Sequence, residues 1–359
     1  MRPTPILISE FSQNRYLTYP HANGFADQGN SLVLGELWED TVNLWKIDIA
    51  TRAETLICSF PREPEPEKLL WFDISLESNR LVTIAQNTVW LFDLSDIERG
   101  GVELFHASPN HIIHPLPSLS NDGRRIVIGH YTEGRHSALL ISIDDPNVKK
   151  LFEHEWWANH FHFCPHDESW IGYSHEGDPD VIRDRIWAWH ADLASSGKPL
   201  FDQTASGSAI GHERWCFHAT SALGIAYGVS STVPGGLFEF FPDGRPPRLV
   251  SAGDRDWHVG VSRDGRWAVV DTTGPYDVPG YRWTDAADIS DVLLVDMQTG
   301  DRTFLARSHQ YMRHPRHPHP TFNLDGSAIY YNESSPDASR NRVWMIPNPA
   351  WTESDQVRK

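Results

Sequence analysis

Seven times along this chain, an apolar or aromatic residue leads into a short polar turn and then a β-rich run. The clearest copies read LSNDGRRIVIG at 119–129, VSRDGRWAVVD at 261–271 and FNLDGSAIYYN at 322–332. Looser copies are FADQGNSLVLG at 25–35, ISLESNRLVTI at 74–84, FCPHDESWIGY at 163–173 and WCFHATSALGIAYG at 215–228. Their turns fall near positions 28, 77, 122, 167, 220, 264 and 325, about 44 to 61 residues apart. That period is close to the one that marks propeller blades. Each copy is followed by another alternating segment: VNLWKIDI, TVWLFDL, SALLISI, RIWAWHADL, GGLFEFF, DVLLVDM and RVWMIP. Branched and aromatic residues at period two, bounded by Asp, Gly and Pro, form strands. Long amphipathic helical patterns are absent. A radial array of small sheets leaves only short edges. The expected fold is therefore all-β, a seven-bladed β-propeller with four-stranded antiparallel blades, with residues 1–359 as one domain. A pair of β-sandwiches or a linear β-array is the rival arrangement.

Composition narrows the partners. The apolar fraction of 40% and fifteen tryptophans supply ample core. A net charge of −17 weighs against nucleic acid or an anionic membrane, because neutralising phosphates takes a basic face. A small anionic substrate stays compatible if its pocket is locally positive. The N-terminal MRPTPILISEFSQNRY lacks a signal-peptide core, and no apolar run reaches the roughly 18 residues of a membrane span. Three widely spaced cysteines (Cys58, Cys164, Cys216) fit a reducing compartment, so a cytoplasmic location is expected.

The histidines fall in phase with the repeats. Three positions before the apolar residue that opens each turn stand His160, His212, His258 and His319, in repeats four to seven. Repeats two and three carry Trp71 and Leu116 there. One phase in the innermost strand means one height around the axis, so these imidazoles should converge at one mouth of the channel. The stretch RHPRHPHP at 313–320 adds His317 on the strand of His319, and His314 in the loop leading to it. His258, His314, His317 and His319 together supply enough imidazoles for a divalent metal. The flanking prolines stiffen that loop and lower the cost of ordering it around an ion.

HPHPTF at 317–322, YSHEG at 173–177 followed by DRIW at 184–187, and GHERW at 211–215 resemble motifs of the oligogalacturonate lyases. These are cytoplasmic seven-bladed propeller lyases that use a manganese-type metal. The similarity runs from near NRYLTYPHANGF to HPHPTF, most of the chain. It implies β-elimination on uronate-containing oligosaccharides, with His258, His314, His317 and His319 at the metal. The family has glutamine where this chain has His314; Gln310 is the alternative ligand. The resemblance also puts Arg185 and His212 in the catalytic region, and His175 and Glu176 in the pocket. His160 and Trp215 are further substrate-side candidates. DPDVIR at 178–183 departs from the family, which bears on the choice of substrate.

The chemistry of such an elimination is demanding. The C5 proton beside a carboxylate is very weakly acidic, so that charge must be offset by a cation or a fixed arginine. A base must reach the proton. His212 is the expected base because imidazole titrates near neutrality. Arg185 is the expected carboxylate clamp, or the base itself if deprotonated, which guanidinium resists. The rival readings are a four-histidine non-haem-iron propeller oxygenase, which draws one ligand from each blade, and a non-catalytic binding propeller.

Overall fold

A computed structural model of the chain describes residues 3–63, 69–178, 181–227, 233–280 and 285–352. Pro179 and Asp180 of the divergent DPDVIR stretch lie outside the described residues. Among the described residues the strands assemble into seven antiparallel sheets, and helix is confined to three single 3-10 turns. The fold is a seven-bladed β-propeller. The alternating segments seen in sequence supply the third strand of each blade, for example Thr41–Asp48, Thr88–Asp93 and Ile289–Asp296.

Blades 4, 5 and 6 follow a simple meander. Blade 4 runs Ala158–Phe163, Trp170–His175, Ile186–His190 and Ala194–Pro199. Blade 5 opens on Ile210–Trp215 and blade 6 on Asp256–Val261. Blade 7 opens on Thr321–Phe322, and its fourth strand comes from the far end of the chain. Ile6 and Leu7 pair with Met345 and Trp344, closing the ring with the N-terminal strand. In blade 1 the innermost strand is split into Arg15–Tyr16 and Phe25–Ala26. The chain between those pieces carries Tyr19 and His21. Blade 3 is split likewise, around His114.

The core sits in the seams between blades. Val33, Leu44, Phe72 and Leu81 pack blade 1 on blade 2, Ile225, Leu237, Val259 and Val270 pack blade 5 on blade 6, and Leu32, Leu34, Tyr330 and Val343 pack blade 7 on blade 1. Each fully buried aliphatic side chain of this kind contributes about 1.5–3 kcal/mol. No blade could bury its faces alone, so closing the ring is what makes the fold stable.

Trp215 belongs to one of these seams. It is 2% exposed and packs with Cys164, Trp170 and Ala222 between blades 4 and 5. The expectation that it contacts substrate is therefore corrected: the ring is consumed in core packing. The fit depends on Gly172, where an added Cβ would lie 2.2 Å from Trp215 Nε1. Gly172→Ala should cost about 1–3 kcal/mol, as overpacking does, read as a lower midpoint in denaturant. An unchanged midpoint would contradict this packing.

Among the described residues no helix is long and apolar enough to cross a membrane. The three cysteines are unpaired.

Candidate metal centre and active site

The innermost strands do more than line the axis. In blades 4, 5 and 6 the pairing with the second strand slips, between Asn159 and His162, Gly211 and Arg214, and Asp256 and Val259. A bulge of this kind re-aims the side chain it carries. The histidines in phase sit within these bulges or at the matching place in blade 7. His160, His212 and His319 have left-handed backbone, with φ of 57°, 54° and 46°. Such φ values are uncommon outside glycine, although histidine is among the residues enriched there.

The result is a knot of imidazoles at the hub. The ring centroid of His258 lies 4.4 Å from that of His319, 5.0 Å from His317 and 6.2 Å from His314. His314 in turn lies 5.2 Å from His317 and 5.0 Å from His319. His212 joins from blade 5 at 4.5 Å from His258. His160 stands apart. Its ring faces Tyr19 at 4.9 Å and its Nε2 lies 3.5 Å from Glu176 Oε1. Among the described residues it makes no ring contact with His212, His258 or His319. His160 thus faces the same hub from the far side of Tyr19, near enough to act electrostatically on His212 and His314.

Hydrogen bonds set the tautomers. His258 Nδ1 lies 3.0 and 3.1 Å from the two carboxylate oxygens of Asp271, which only accept, so Nδ1 carries the proton and Nε2 the lone pair. Asp271 also accepts from the backbone N–H of His258 at 2.6 Å and of His319 at 3.1 Å, tying blades 6 and 7 together. Burial works to raise this carboxyl, but His258 outweighs it and holds Asp271 below the usual carboxylate range. His317 Nδ1 donates to Gln310 Oε1 at 3.3 Å, and the Gln310 amide is fixed by its bond to the Ala287 carbonyl at 2.8 Å. Gln310 therefore sits behind a histidine rather than beside the others as a donor.

Four buried nitrogens in the cluster have no partner: His258 Nε2, His314 Nδ1, and both nitrogens of His319. Unpaired buried polar atoms are costly and call for an explanation. Burial, helped by His258, lowers His314 to about 3 and keeps His317 and His319 well below the ordinary imidazole range. These rings are neutral at neutral pH, with lone pairs free. Among the described residues no group of three or more His, Cys, Asp or Glu side chains is placed to hold a metal ion as they stand. What converges is a set of open imidazole nitrogens backed by a carboxylate, the donor chemistry that suits a first-row divalent ion. The residue types present, though not yet their arrangement, suit a metal of that kind.

Beside the imidazoles lies a buried ion pair. Arg185 donates from one terminal nitrogen to both oxygens of Glu176, each at 2.9 Å, and Ser174 Oγ donates to Glu176 at 2.7 Å. Burial opposes the charge on Arg185, but Tyr227, Glu176 and Glu213 more than offset it, so its pKa is raised above the arginine norm. A guanidinium so placed is held in its charged form. Arg185 Nε is buried without a partner. Gly211 leaves room for it, since a Cβ there would lie 2.6 Å from that nitrogen. His212 Nδ1 is also unpartnered, and burial, then His258, holds its pKa well below normal.

His175 takes a different place. Its ring lies tilted against Trp156 at 4.1 Å and its Nδ1 bonds Asp184 at 2.8 Å, while Glu176 next to it meets Arg185. Three hub residues escaped the reading of the sequence. Tyr19 packs its ring 5.6 Å from both His314 and His319, and burial raises its pKa well above the phenol norm. Glu213 is buried, and burial raises its pKa. Asp271 is the third. Tyr19 lies within NRYLTYPHANGF and Glu213 within GHERW, while nothing distinguishes Asp271 in sequence.

With this geometry in hand, known proteins can be compared. No family model matches the chain. The oligogalacturonate lyase of Dickeya dadantii is 18% identical over 366 residues, spanning 93% of this chain and 90% of that protein. A crystal structure of oligogalacturonate lyase from Vibrio parahaemolyticus superposes with a TM-score of 0.80 at 14% identity, over 97% of this chain and 94% of the other. This chain resembles the oligogalacturonate lyases in sequence and fold. An oligogalacturonate lyase in complex with manganese gives the same TM-score of 0.80, at 15% identity over 99% of this chain and 94% of that one. At such identities the superpositions establish the propeller, while the chemistry rests on the hub itself.

Proposed function

We propose that the protein is a metal-dependent lyase that cleaves uronate-containing oligosaccharides by β-elimination, leaving a 4,5-unsaturated uronate. The observation that carries this reading is the clustering of the His258, His314, His317 and His319 rings, with unpaired nitrogens on His258, His314 and His319, near the charged Arg185. His258, His314, His317 and His319 would hold a divalent ion, most simply manganese as in the related complex. Such an ion supplies Lewis-acid offset of the uronate carboxylate charge. Arg185 adds a fixed cation on the same carboxylate, prearranged by Glu176, so that negative charge developing at C5 costs less. His212, neutral and with an unpartnered nitrogen, takes the C5 proton. The C5–H electron pair becomes the C4=C5 double bond as the C4–O4 bond breaks, and the departing sugar oxygen takes a proton from water. His160, held against Glu176, lines the approach from blade 4.

A four-histidine oxygenase would use one imidazole from each of four blades. His160 is the fourth such residue, and it is turned toward Tyr19 and Glu176 instead. A purely binding propeller leaves the open nitrogens of the cluster without a purpose. Three unpaired cysteines are in keeping with a cytoplasmic setting.

The test is spectroscopic. Incubation with short oligogalacturonates should give growing ultraviolet absorbance in the unsaturated-uronate band, abolished by chelator and restored by Mn2+. Absence of absorbance growth with every uronate oligosaccharide tried, in metal-loaded protein, would sink the proposal.

A further inference from the structure

Two residues farther along the same strands, the channel acquires a second ring of side chains. His162 follows His160 at that interval, and Arg214 follows His212. With His21, Asn23, Asp73 and Ser118 they surround a narrow cavity of about 40 Å³. The proposed lyase chemistry uses none of them.

Arg214 is only 4% exposed and forms no ion pair among the described residues. One terminal nitrogen donates to the Pro20 carbonyl at 2.8 Å, and the guanidinium lies 5.1 Å from the Phe217 ring centroid. Its Nε is buried with no partner. Burial lowers its pKa to about 10, which still leaves it charged at neutral pH. Asp73 is the acid on the cavity wall, and its oxygens are engaged by the backbone N–H groups of Asn23 at 2.8 Å and Leu119 at 2.7 Å. The Asp73 carboxylate therefore acts on Arg214 only at a distance, and a buried cation without a directly bonded counter-ion is costly in a fold.

The neighbouring imidazoles are equally unfinished. His21 stacks on His162 at 4.5 Å, and both its nitrogens are buried and unpartnered, so either tautomer offers one N–H. His162 is 2% exposed. Its Nδ1 donates to the His160 carbonyl at 2.6 Å, leaving Nε2 as an unpartnered lone pair.

We propose that this cavity binds a small monovalent inorganic anion of the chloride class, held by the Arg214 Nε–H and one N–H of His21. Size and charge select that class. About 10–15 Å³ of such space holds one water, so the cavity takes only a few water-sized bodies and excludes a sugar ring, and the Asp73 carboxylate opposes a dianion more strongly than a monoanion. Arg214 disfavours a metal cation here. Water alone would meet the N–H groups but leave the guanidinium without a directly bonded counter-ion. Beside the anion, one water donates to His162 Nε2. The site stands whether or not the protein is a lyase.

The test uses the whole protein. At fixed ionic strength, exchanging gluconate for chloride or bromide should raise Tm by about 1–3 °C in a saturable manner, and Arg214→Met should lose that dependence. Crystals of the unmutated protein grown in bromide should show an anomalous peak within hydrogen-bond distance of Arg214 Nε; this decides the matter even if the variant fails to fold. A bromide-grown crystal with water and no anomalous scatterer in the cavity overturns the proposal, whatever the salt does to Tm.

Discussion

Replacing His258 with alanine is expected to empty the hub of metal and abolish turnover in the same step. His258 is 1% exposed, lies closest to His319, and is oriented by Asp271 so that Nε2 faces the cluster. Its loss removes a donor and also leaves the Asp271 carboxylate buried without the imidazole that stabilises it. His319→Ala should act similarly, because both its nitrogens are otherwise unpartnered. Loss of a partner behind a ligand typically costs 10–100-fold in affinity, so removal of a ligand should exceed about 100-fold. Metal analysis of the purified variants checks this, and full occupancy in either would contradict the ligand set. His314→Gln, which installs the residue of the related lyases, should keep metal within about tenfold on the same scale.

His212→Ala should have the complementary signature. The ring lies 4.5 Å from His258 but belongs to blade 5, outside the four proposed ligands. Metal should stay bound while kcat falls by about 100- to 10,000-fold, the usual contribution of a positioned general base. Wild-type rates would remove His212 from that role. Loss of metal along with rate would make it a ligand instead. Arg185→Lys should also bind metal, yet lose rate, since an ammonium cannot hold Glu176 through one nitrogen while offering a second N–H, such as the unpartnered Nε–H, to a carboxylate.

What was legible in the sequence follows from periodicity. The repeat length and the two alternating segments per copy were enough to give the blades, because strand alternation is written directly into residue type. The shared phase of His212, His258 and His319 marked the hub for the same reason. His160 shows the limit. Its strand bulges as those of blades 5 and 6 do, but Glu176 and Tyr19 draw its ring aside, and contacts from other strands leave no trace in phase. Trp215 shows another. The slip between Gly211 and Arg214 resets the alternation, so Arg214 reaches the channel and Trp215 turns into the seam.

Tyr19 and His21 were hidden for a different reason. They enter the hub through a break in the innermost strand of blade 1, and a break has no period to read. Asp271 lies on the second strand of blade 6, where it resembles many other acids until its bonds to His258 and His319 are seen.

The central claim is that the imidazoles of blades 6 and 7 bind one cation together. Titration of metal-stripped protein with Mn2+, followed by the loss of the free-ion electron paramagnetic resonance signal, tests it most directly. The account predicts saturation at one ion per chain, with that step missing in His258→Ala. A titration with no saturable binding, or one that His258→Ala leaves unchanged, would contradict it.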